Sequence, residues 1–178
     1  IRMDSTSGLI WSPSHFTWMD TNHPAGTPRE GYPIEIQALW IRLLRQLNRL
    51  QPEDGWGAMA ELATESLDKY YWQEGTPWLA DVLIADSTQS ATEAQVDTAL
   101  RCNSLIAVAL GVVDGTHARQ TVGAARDYLA VPGALRTLAP LPVDLPLFIR
   151  RNDDGELLND PEQPYFGHYE GDEDTQRK

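Results

Sequence analysis

Carboxylates and tryptophans are the residue types in this sequence that are best suited to chemistry. The segment FTWMDTNHPAGTPREG places Trp18 two positions before Asp20, and two prolines stiffen the run that ends at Arg29. Flat aromatic rings pack against the apolar faces of pyranose sugars, while one carboxyl group can protonate a glycosidic oxygen and another can activate water. These residues therefore suggest a sugar site on a loop, where burial in a hydrophobic core is difficult.

Each of these residues also has a purely structural interpretation. A loop aspartate such as Asp20 commonly caps a turn. Glu35 opens a predicted helix, where the partial positive charge of the helix N-terminus favours a carboxylate. Arg29 can simply pair with Glu30 or Glu35. Residue spacing alone leaves both interpretations open.

Several other kinds of chemistry lack the residues that they need. The single cysteine, Cys102, excludes an intrachain disulfide and fits a reducing, cytoplasmic compartment. The four histidines have no ligand spacing, and neither a glycine-rich phosphate loop nor a G-x-S-x-G motif occurs. The sequence therefore predicts neither a metal site nor a cofactor.

The charge of the chain also limits its partners. The net charge is −12 and the isoelectric point is about 4.6, which argues against nucleic acid or an anionic membrane as the main partner. No apolar run approaches the roughly 20 residues of a membrane span. Nine of the acidic residues lie between Asp153 and Asp174, and we interpret this stretch as a solvated surface segment.

The elements that must position the loop are mainly helical. Apolar residues recur every three or four positions over Ile34–Leu50, a helix that Pro52 ends. A second helix is predicted over 57–73. A third is predicted over 90–113, from a capping box at Ser90 to a deeply buried centre, and a fourth over 116–129 with Val122 facing inward. Trp40 is predicted to lie in the core.

The C-terminal part of the chain differs from the rest. Prolines at 140, 142 and 146 break any helix, and LFIRRNDDGELL predicts a short hairpin that turns at Asp154 and Gly155. No β-α alternation and no internal repeat are visible. The sequence thus predicts one mostly α domain over 1–178, with an acidic segment rich in loops and hairpins over 140–178.

Four ordered segments resemble one known family. FTWMDTNHPAGTPREGYPIEIQALW is similar to the T-W-M-D, T-P-R-x-G and (V/I)-E-I-x-A-L-W elements of the amylo-α-1,6-glucosidase domain of glycogen debranching enzymes. LRCNSLIAVAL at 100–110 resembles its L-R-P-N-Q-x-x-A-V-x-L, and PGALRTLAP at 132–140 resembles its Y-G-L-R-T-L-A-P. The segment 169–172 is similar to the one that precedes its Y-H-Q-G-x-x-W motif.

The resemblance implies a fold and an activity. The fold is an (α/α)6 toroid of six helix pairs with the active site at one end of the inner helices, and this chain has too few predicted helices to complete it. The activity is inverting hydrolysis of the single α-1,6-linked glucose left at a trimmed branch of a glycogen-type glucan. In inverting enzymes the two carboxyl groups stand roughly 6.5–9.5 Å apart.

The resemblance also assigns roles to residues at matching positions. Asp20 matches the aspartate of T-W-M-D and is the expected general acid. Glu35 matches the glutamate of E-I-x-A-L-W, where it binds sugar hydroxyls or orients Arg29. The expected substrate-binding residues are Trp18, Arg29, Glu35, Arg101 and Asn103, together with Asp81 of the segment WLAD, which lies outside the matched motifs.

Two departures from the family pattern affect these expectations. Cys102 stands where the family usually has proline, so we expect the third helix to begin earlier or to bend less sharply. The sequence ends at Lys178, before the Y-H-Q-G-x-x-W motif, and we expect the catalytic base there or beyond. It also opens on Ile1 without an initiator methionine. We therefore expect a fragment that hydrolyses nothing by itself, with the rest of its own polypeptide as its partner and a branched α-glucan as its substrate.

Other functions remain open at this point. The first is another inverting glucosidase on the same toroid, acting on trehalose or a glucosyl-glycerate type of substrate, although T-P-R-x-G and L-R-T-L-A-P favour debranching. The second is a binding module that retains a glucan pocket without turnover. The third is a helical structural domain with no carbohydrate role.

Overall fold

Two long helices pack against each other and carry much of the core. The computed structural model describes residues 1–19, 29–148, 150–151 and 153–165. Helix α1 spans Ile34–Leu50, the bounds that its periodicity predicted, and α2 spans Trp56–Tyr71, within two residues of its prediction at each end. A 3-10 turn at Pro52–Asp54 joins them, and Gly55 adopts a positive φ of 78° before α2 begins.

The apolar stripe of α1 is wider than the surface that its neighbours cover. Ile34, Ala38, Ile41 and Leu44 are buried. Leu39 and Leu43, which the periodicity also placed on the apolar face, remain 52% and 46% exposed. Trp40, which we predicted to lie in the core, is partly buried and donates its indole N–H to the Gly8 carbonyl at 3.0 Å.

A small antiparallel sheet lies beside the start of α1. Its strands are β3 (Gly31–Pro33), β4 (Val82–Ile84) and β5 (Gln95–Asp97), in that order. Gly31 has a φ of 127°, and a Cβ at this position would lie 2.1 Å from the Leu83 carbonyl oxygen. Only glycine lets β3 and β4 approach this closely.

The predicted third helix over 90–113 is wrong for most of its length. A 3-10 turn at Ala91–Glu93 begins the segment, and the Ser90 hydroxyl accepts the Thr92 N–H as a cap. Strand β5 follows, and the helix proper, α3, spans only Ser104–Ala109. The expectation that this helix begins early is therefore also wrong. Pairing with β4 satisfies the backbone of residues 95–97, so local helix propensity does not decide the conformation there.

The predicted fourth helix is present but divided. Helix α4 spans Gly115–Ala124 and continues as a π-helical turn over Ala125–Leu129. Leu129 is buried, but Val122 is 46% exposed, which corrects its predicted inward position. The chain then forms a hairpin of β6 (Ala130–Val131) and β7 (Ala134–Leu135), which the sequence did not predict.

In the part of the chain that the structure describes, the core consists of two clusters of buried apolar residues. The larger one joins α1, α2 and the three-stranded sheet, with Tyr32 and Tyr71 as its largest fully buried side chains. The smaller one gathers Leu100, Leu129 and Ala139 around the end of α4 and its π-helical turn. In the described ranges, no helix is long and apolar enough to cross a membrane.

Short pairings occur near the N-terminus and in the segment 150–157. Strands β1 (Arg2–Met3) and β2 (Ile10–Trp11) pair antiparallel at the N-terminus. Near the C-terminus, Arg150 bridges Leu157, and the Arg151 N–H donates to the Glu156 carbonyl at 2.8 Å. The predicted turn at Asp154 and Gly155 is therefore confirmed, with Gly155 at a φ of 74°.

Candidate active site

Arg29 is the centre of a buried ionic cluster. Its Nη1 and Nη2 atoms donate to the two Glu35 oxygens at 2.5 and 2.7 Å, while Nε and Nη2 donate to the two Asp81 oxygens at 2.7 and 3.1 Å. All three side chains are buried. Such paired contacts between a guanidinium and a carboxylate are both strong and geometrically specific. The sequence offered Glu30 or Glu35 as an ion-pair partner for Arg29, and the structure shows the pair with Glu35.

The sheet and α1 bring these groups together. Glu35 is the second residue of α1, and Asp81 directly precedes β4. The Ile34 N–H donates to the Asp81 carbonyl at 3.0 Å, and the Asp81 N–H donates to the Asp97 carbonyl at 2.9 Å. Arg29 itself has a φ of 51°, a left-handed conformation that is strained for a residue with a side chain. The ion pairs offset that strain.

Asp81 connects Arg29 to a second group of side chains. Its carboxylate lies 3.2 Å from Arg101 Nε and accepts the Asn103 amide N–H at 2.7 Å. Asn103 in turn accepts the Trp18 indole N–H at 2.9 Å and contacts the Met19 sulfur at 3.3 Å. Trp18 is 54% exposed, so the buried network ends in an indole ring that faces solvent.

Arg29 also contacts the chain directly before Trp18. Its Nη1 atom donates to the Thr17 hydroxyl at 3.2 Å, and the same hydroxyl accepts the Met19 N–H at 3.1 Å. The cluster therefore fixes the turn at Thr17–Met19 through Arg29 and through Asn103.

The structure brings together the six residues that we predicted to bind substrate. They form one connected network, which consists of Trp18, Arg29, Glu35, Asp81, Arg101 and Asn103. The predicted acid, Asp20, and the matched segment 169–172 lie outside the described residues. Asp20 follows Met19 directly in the chain.

Burial and charge change the titration of several groups at the site. Burial opposes the charge of Arg29, but the Asp81 and Glu35 carboxylates raise the pKa of its guanidinium above the usual value. Burial and the nearby Glu35 charge raise the pKa of Tyr71 well above its ordinary value. The Tyr71 hydroxyl stays neutral and donates to the Tyr32 carbonyl at 2.5 Å.

Asp97 belongs to the same region, and the sequence reasoning missed it. It ends β5, is 6% exposed, and accepts the Ala99 N–H at 3.0 Å through Oδ1. Burial, followed by the Asp81 charge, raises the pKa of its carboxyl. Strand β5 has only three residues, which is too short for a periodicity signal, and we assigned this segment to a helix.

A cavity of about 210 Å³ opens beside the cluster. Arg29, Asp97 and Arg101 are among the residues that line it, together with apolar residues of β4 and of the segment 143–147. Cys102 lies nearby in the chain, where burial and then the Asp81 charge raise the pKa of its half-buried thiol. Among the described residues, no group of His, Cys, Asp or Glu is arranged to hold a metal ion.

Comparison with solved structures shows a shared fold. The chain is similar to the neutral trehalase of Saccharomyces cerevisiae, with a TM-score of 0.51 and 15% sequence identity. The similarity covers 61% of this chain and 22% of the trehalase, so the chain spans about a fifth of that protein. Among curated protein sequences, none matches the chain.

The family assignment is more specific than the shared fold. Residues 1–147 match the family model described as amylo-alpha-1,6-glucosidase. The chain therefore belongs to the amylo-alpha-1,6-glucosidase family, a family of glycoside hydrolases. This confirms the resemblance that the ordered motifs indicated.

Proposed function

We propose that the complete protein removes α-1,6-linked glucose from the branch points of a glycogen-type glucan by inverting hydrolysis. The observation that carries this proposal is the exposed Trp18 ring, which lies two positions before Asp20. Asn103 anchors this ring to the buried network around Arg29. The chain that contains it belongs to the amylo-alpha-1,6-glucosidase family. A solvent-facing indole on a rigid base is suited to packing against a pyranose. The fold that we propose is part of an (α/α)6 toroid.

Asp20 is the general acid in this proposal. It protonates the glycosidic oxygen of the branch linkage, and a second carboxylate activates the water that attacks the anomeric carbon from the opposite face. The turn at Thr17–Met19, which precedes Asp20, is held by Arg29 and Asn103. A general acid benefits from such support because small displacements of a catalytic group reduce the rate strongly.

The other predicted residues divide into two roles. Glu35 and Asp81 both use their carboxylates to bind Arg29, so we assign to them the positioning of that guanidinium. Trp18, Arg101 and Asn103 shape the sugar pocket, with Trp18 in direct contact with the glucose ring. In this arrangement the buried carboxylates act through Arg29 and not on the substrate.

A second candidate substrate is trehalose. The fold similarity to a trehalase favours it, because related toroids can accept different glucosides. The family match favours the branched glucan over this alternative. A binding module without turnover is the third possibility.

The substitution Asp20→Asn in the complete protein tests the proposal. We expect glucose release from a branched limit dextrin to fall by about 10²–10⁴-fold, because the amide cannot donate the proton. Binding of the dextrin should remain close to that of the unmodified protein. Asp54→Asn, in the turn between α1 and α2, is the matched control and should leave the rate unchanged.

The same assay separates the alternatives. Faster release of glucose from trehalose than from the limit dextrin would contradict the debranching specificity. Dextrin binding without any glucose release by the unmodified protein would identify a binding module. Unchanged activity of Asp20→Asn would reject Asp20 as the acid.

A further inference from the structure

The cavity beside the cluster contains a carboxyl group whose hydrogen bonding is incomplete. Asp97 lines the cavity and is 6% exposed. One of its oxygens accepts the Ala99 N–H, and no described residue donates to the other. This oxygen is not among the described buried side-chain atoms that lack a hydrogen-bond partner, so it retains some contact with solvent. The second oxygen of Asp97 is therefore available to a ligand.

The other charged groups around the cavity are already engaged. Arg29 and Arg101 both contact Asp81, and Glu30 accepts a hydrogen bond from the Ser14 hydroxyl at 3.0 Å. Glu30, like Asp97, uses one of its two oxygens in a described hydrogen bond, but Asp97 is the more deeply buried of these two carboxyl groups.

Size and charge indicate what kind of ligand the cavity can take. Its volume of about 210 Å³ is below the roughly 300–1,000 Å³ of sites for drug-sized molecules. Two guanidinium groups disfavour a cation, and the carboxylates of Asp81 and Asp97 disfavour an anion. The walls contributed by Val82, Ile84 and Val143 are apolar. A neutral, polyhydroxylated ring of one hexose fits these conditions.

We propose that Asp97 is a specificity-determining residue that hydrogen-bonds hydroxyl groups of a single glucosyl unit held in this cavity. Burial and then the Asp81 charge raise the pKa of Asp97, and its second carboxylate oxygen can accept a hydrogen bond from a sugar hydroxyl. The inference rests on the proposed glucosidase function, and it adds a contact that the sequence motifs do not assign.

Kinetics of the complete protein with Asp97→Asn test the contact. The amide retains an oxygen for the Ala99 N–H but changes the group offered to the sugar. We expect KM for a branched limit dextrin to rise by about tenfold or more, with a smaller change in kcat, because the lost contact binds ground state and transition state alike. Binding of isomaltose, measured by calorimetry, should weaken to a similar extent.

Two further variants keep the test decisive. Val143→Phe narrows the cavity without changing Asp97 and should weaken isomaltose binding as strongly. Asp86→Asn, an exposed aspartate near the end of β4 that hydrogen-bonds Thr88, is the control and should leave KM and binding unchanged. If Asp97→Asn does not fold, the Val143→Phe result decides.

The outcomes distinguish this inference from the proposed function. If dextrin is hydrolysed but isomaltose binding and KM in both cavity variants stay within about twofold of the unmodified values, the role of Asp97 is rejected and the glucosidase function stands. If no dextrin is hydrolysed but isomaltose binding depends on Asp97 and Val143, the sugar cavity stands and the glucosidase function fails. If the unmodified protein neither hydrolyses dextrin nor binds isomaltose, both fail.

Discussion

Two arginines of this chain are each surrounded by carboxylates, and they differ in their access to water. The Arg29 side chain is 1% exposed, and its partners Glu35 and Asp81 are as deeply buried. The Arg151 side chain is 38% exposed. Its partners are three exposed carboxylates, Asp153, Asp154 and Glu156.

The difference shows how burial changes the effect of losing one carboxylate partner from an ion pair with arginine. Around Arg151, water and salt screen each charge, so loss of one partner is compensated by solvent. Around Arg29, a charge that loses its partner remains buried and uncompensated. The cluster at Arg29 must therefore stay complete, whereas the one at Arg151 tolerates substitution.

The largest expected effect is that of Asp81→Asn. This change removes a carboxylate that Arg29 and Arg101 share. We expect the free energy of unfolding to fall by about 3–5 kcal/mol, as for other broken buried ion pairs. Urea unfolding followed by tryptophan fluorescence measures it. Asp154→Asn, beside Arg151, is the control and should leave the midpoint unchanged; equal effects at the two sites would contradict the comparison.

A smaller effect is expected for Arg29→Lys. Lysine keeps the charge but cannot form the fork of hydrogen bonds that Arg29 makes to Glu35 and Asp81. We expect a loss of about 2 kcal/mol in unfolding free energy and a lower rate of glucose release, because the turn at Thr17–Met19 loses its support. Arg151→Lys should change neither quantity. A fully stable and active Arg29→Lys protein would show that the charge alone is sufficient.

The smallest effect concerns the pH dependence of stability at Asp97. Because its pKa is raised in the folded state, the native protein binds this proton more tightly than the unfolded chain does. Asp97 therefore makes stability decrease as pH rises from its unfolded pKa of about 3.9 through its folded pKa. In Asp97→Asn this contribution disappears, so the variant should gain stability relative to the unmodified protein as pH rises.

Urea unfolding between acidic and neutral pH checks the sign. At the exposed cluster the expected sign is opposite, because hydrogen bonding, first to the Glu156 N–H and then to Arg151, lowers the pKa of Asp154. That residue favours folding above its unfolded pKa and loses this contribution as pH falls. A stability difference between Asp97→Asn and the unmodified protein that is independent of pH would contradict the raised pKa of Asp97 in the folded state.

The sequence predicted those parts of the fold that depend on local signals. Helix α1 follows from a strong apolar periodicity and from Pro52, and the turn at Gly155 follows from residues that favour turns. Strand β5 could not be predicted in this way, because its three residues are ordered by pairing with β4. The capping residue Ser90 was identified correctly, but a cap marks only where a turn begins and not how far a helix continues.

The site was predictable through family resemblance and not through spacing. Arg29 and Asp81 are 52 residues apart, and Trp18 and Asn103 are 85 apart. No periodicity connects positions at such separations, whereas the ordered motifs identified Trp18, Arg29 and Asn103 together. Asp81 lies outside those motifs and was proposed only from its place in the segment WLAD. Asp97 lies outside those motifs, and only the fold places it against the cavity.

Cys102 gives the chain a chemical reporter at the edge of the cluster. It is the sole cysteine among the 178 residues and lies between Arg101 and Asn103. Alkylating reagents react with the thiolate, and burial together with the Asp81 charge keeps that form scarce in the folded protein. Its labelling rate, followed by mass spectrometry, therefore reports how often the network around Arg29 opens. This measurement requires no substitution in the protein. An opening that exposes the thiol is recorded as one added mass at a single known position.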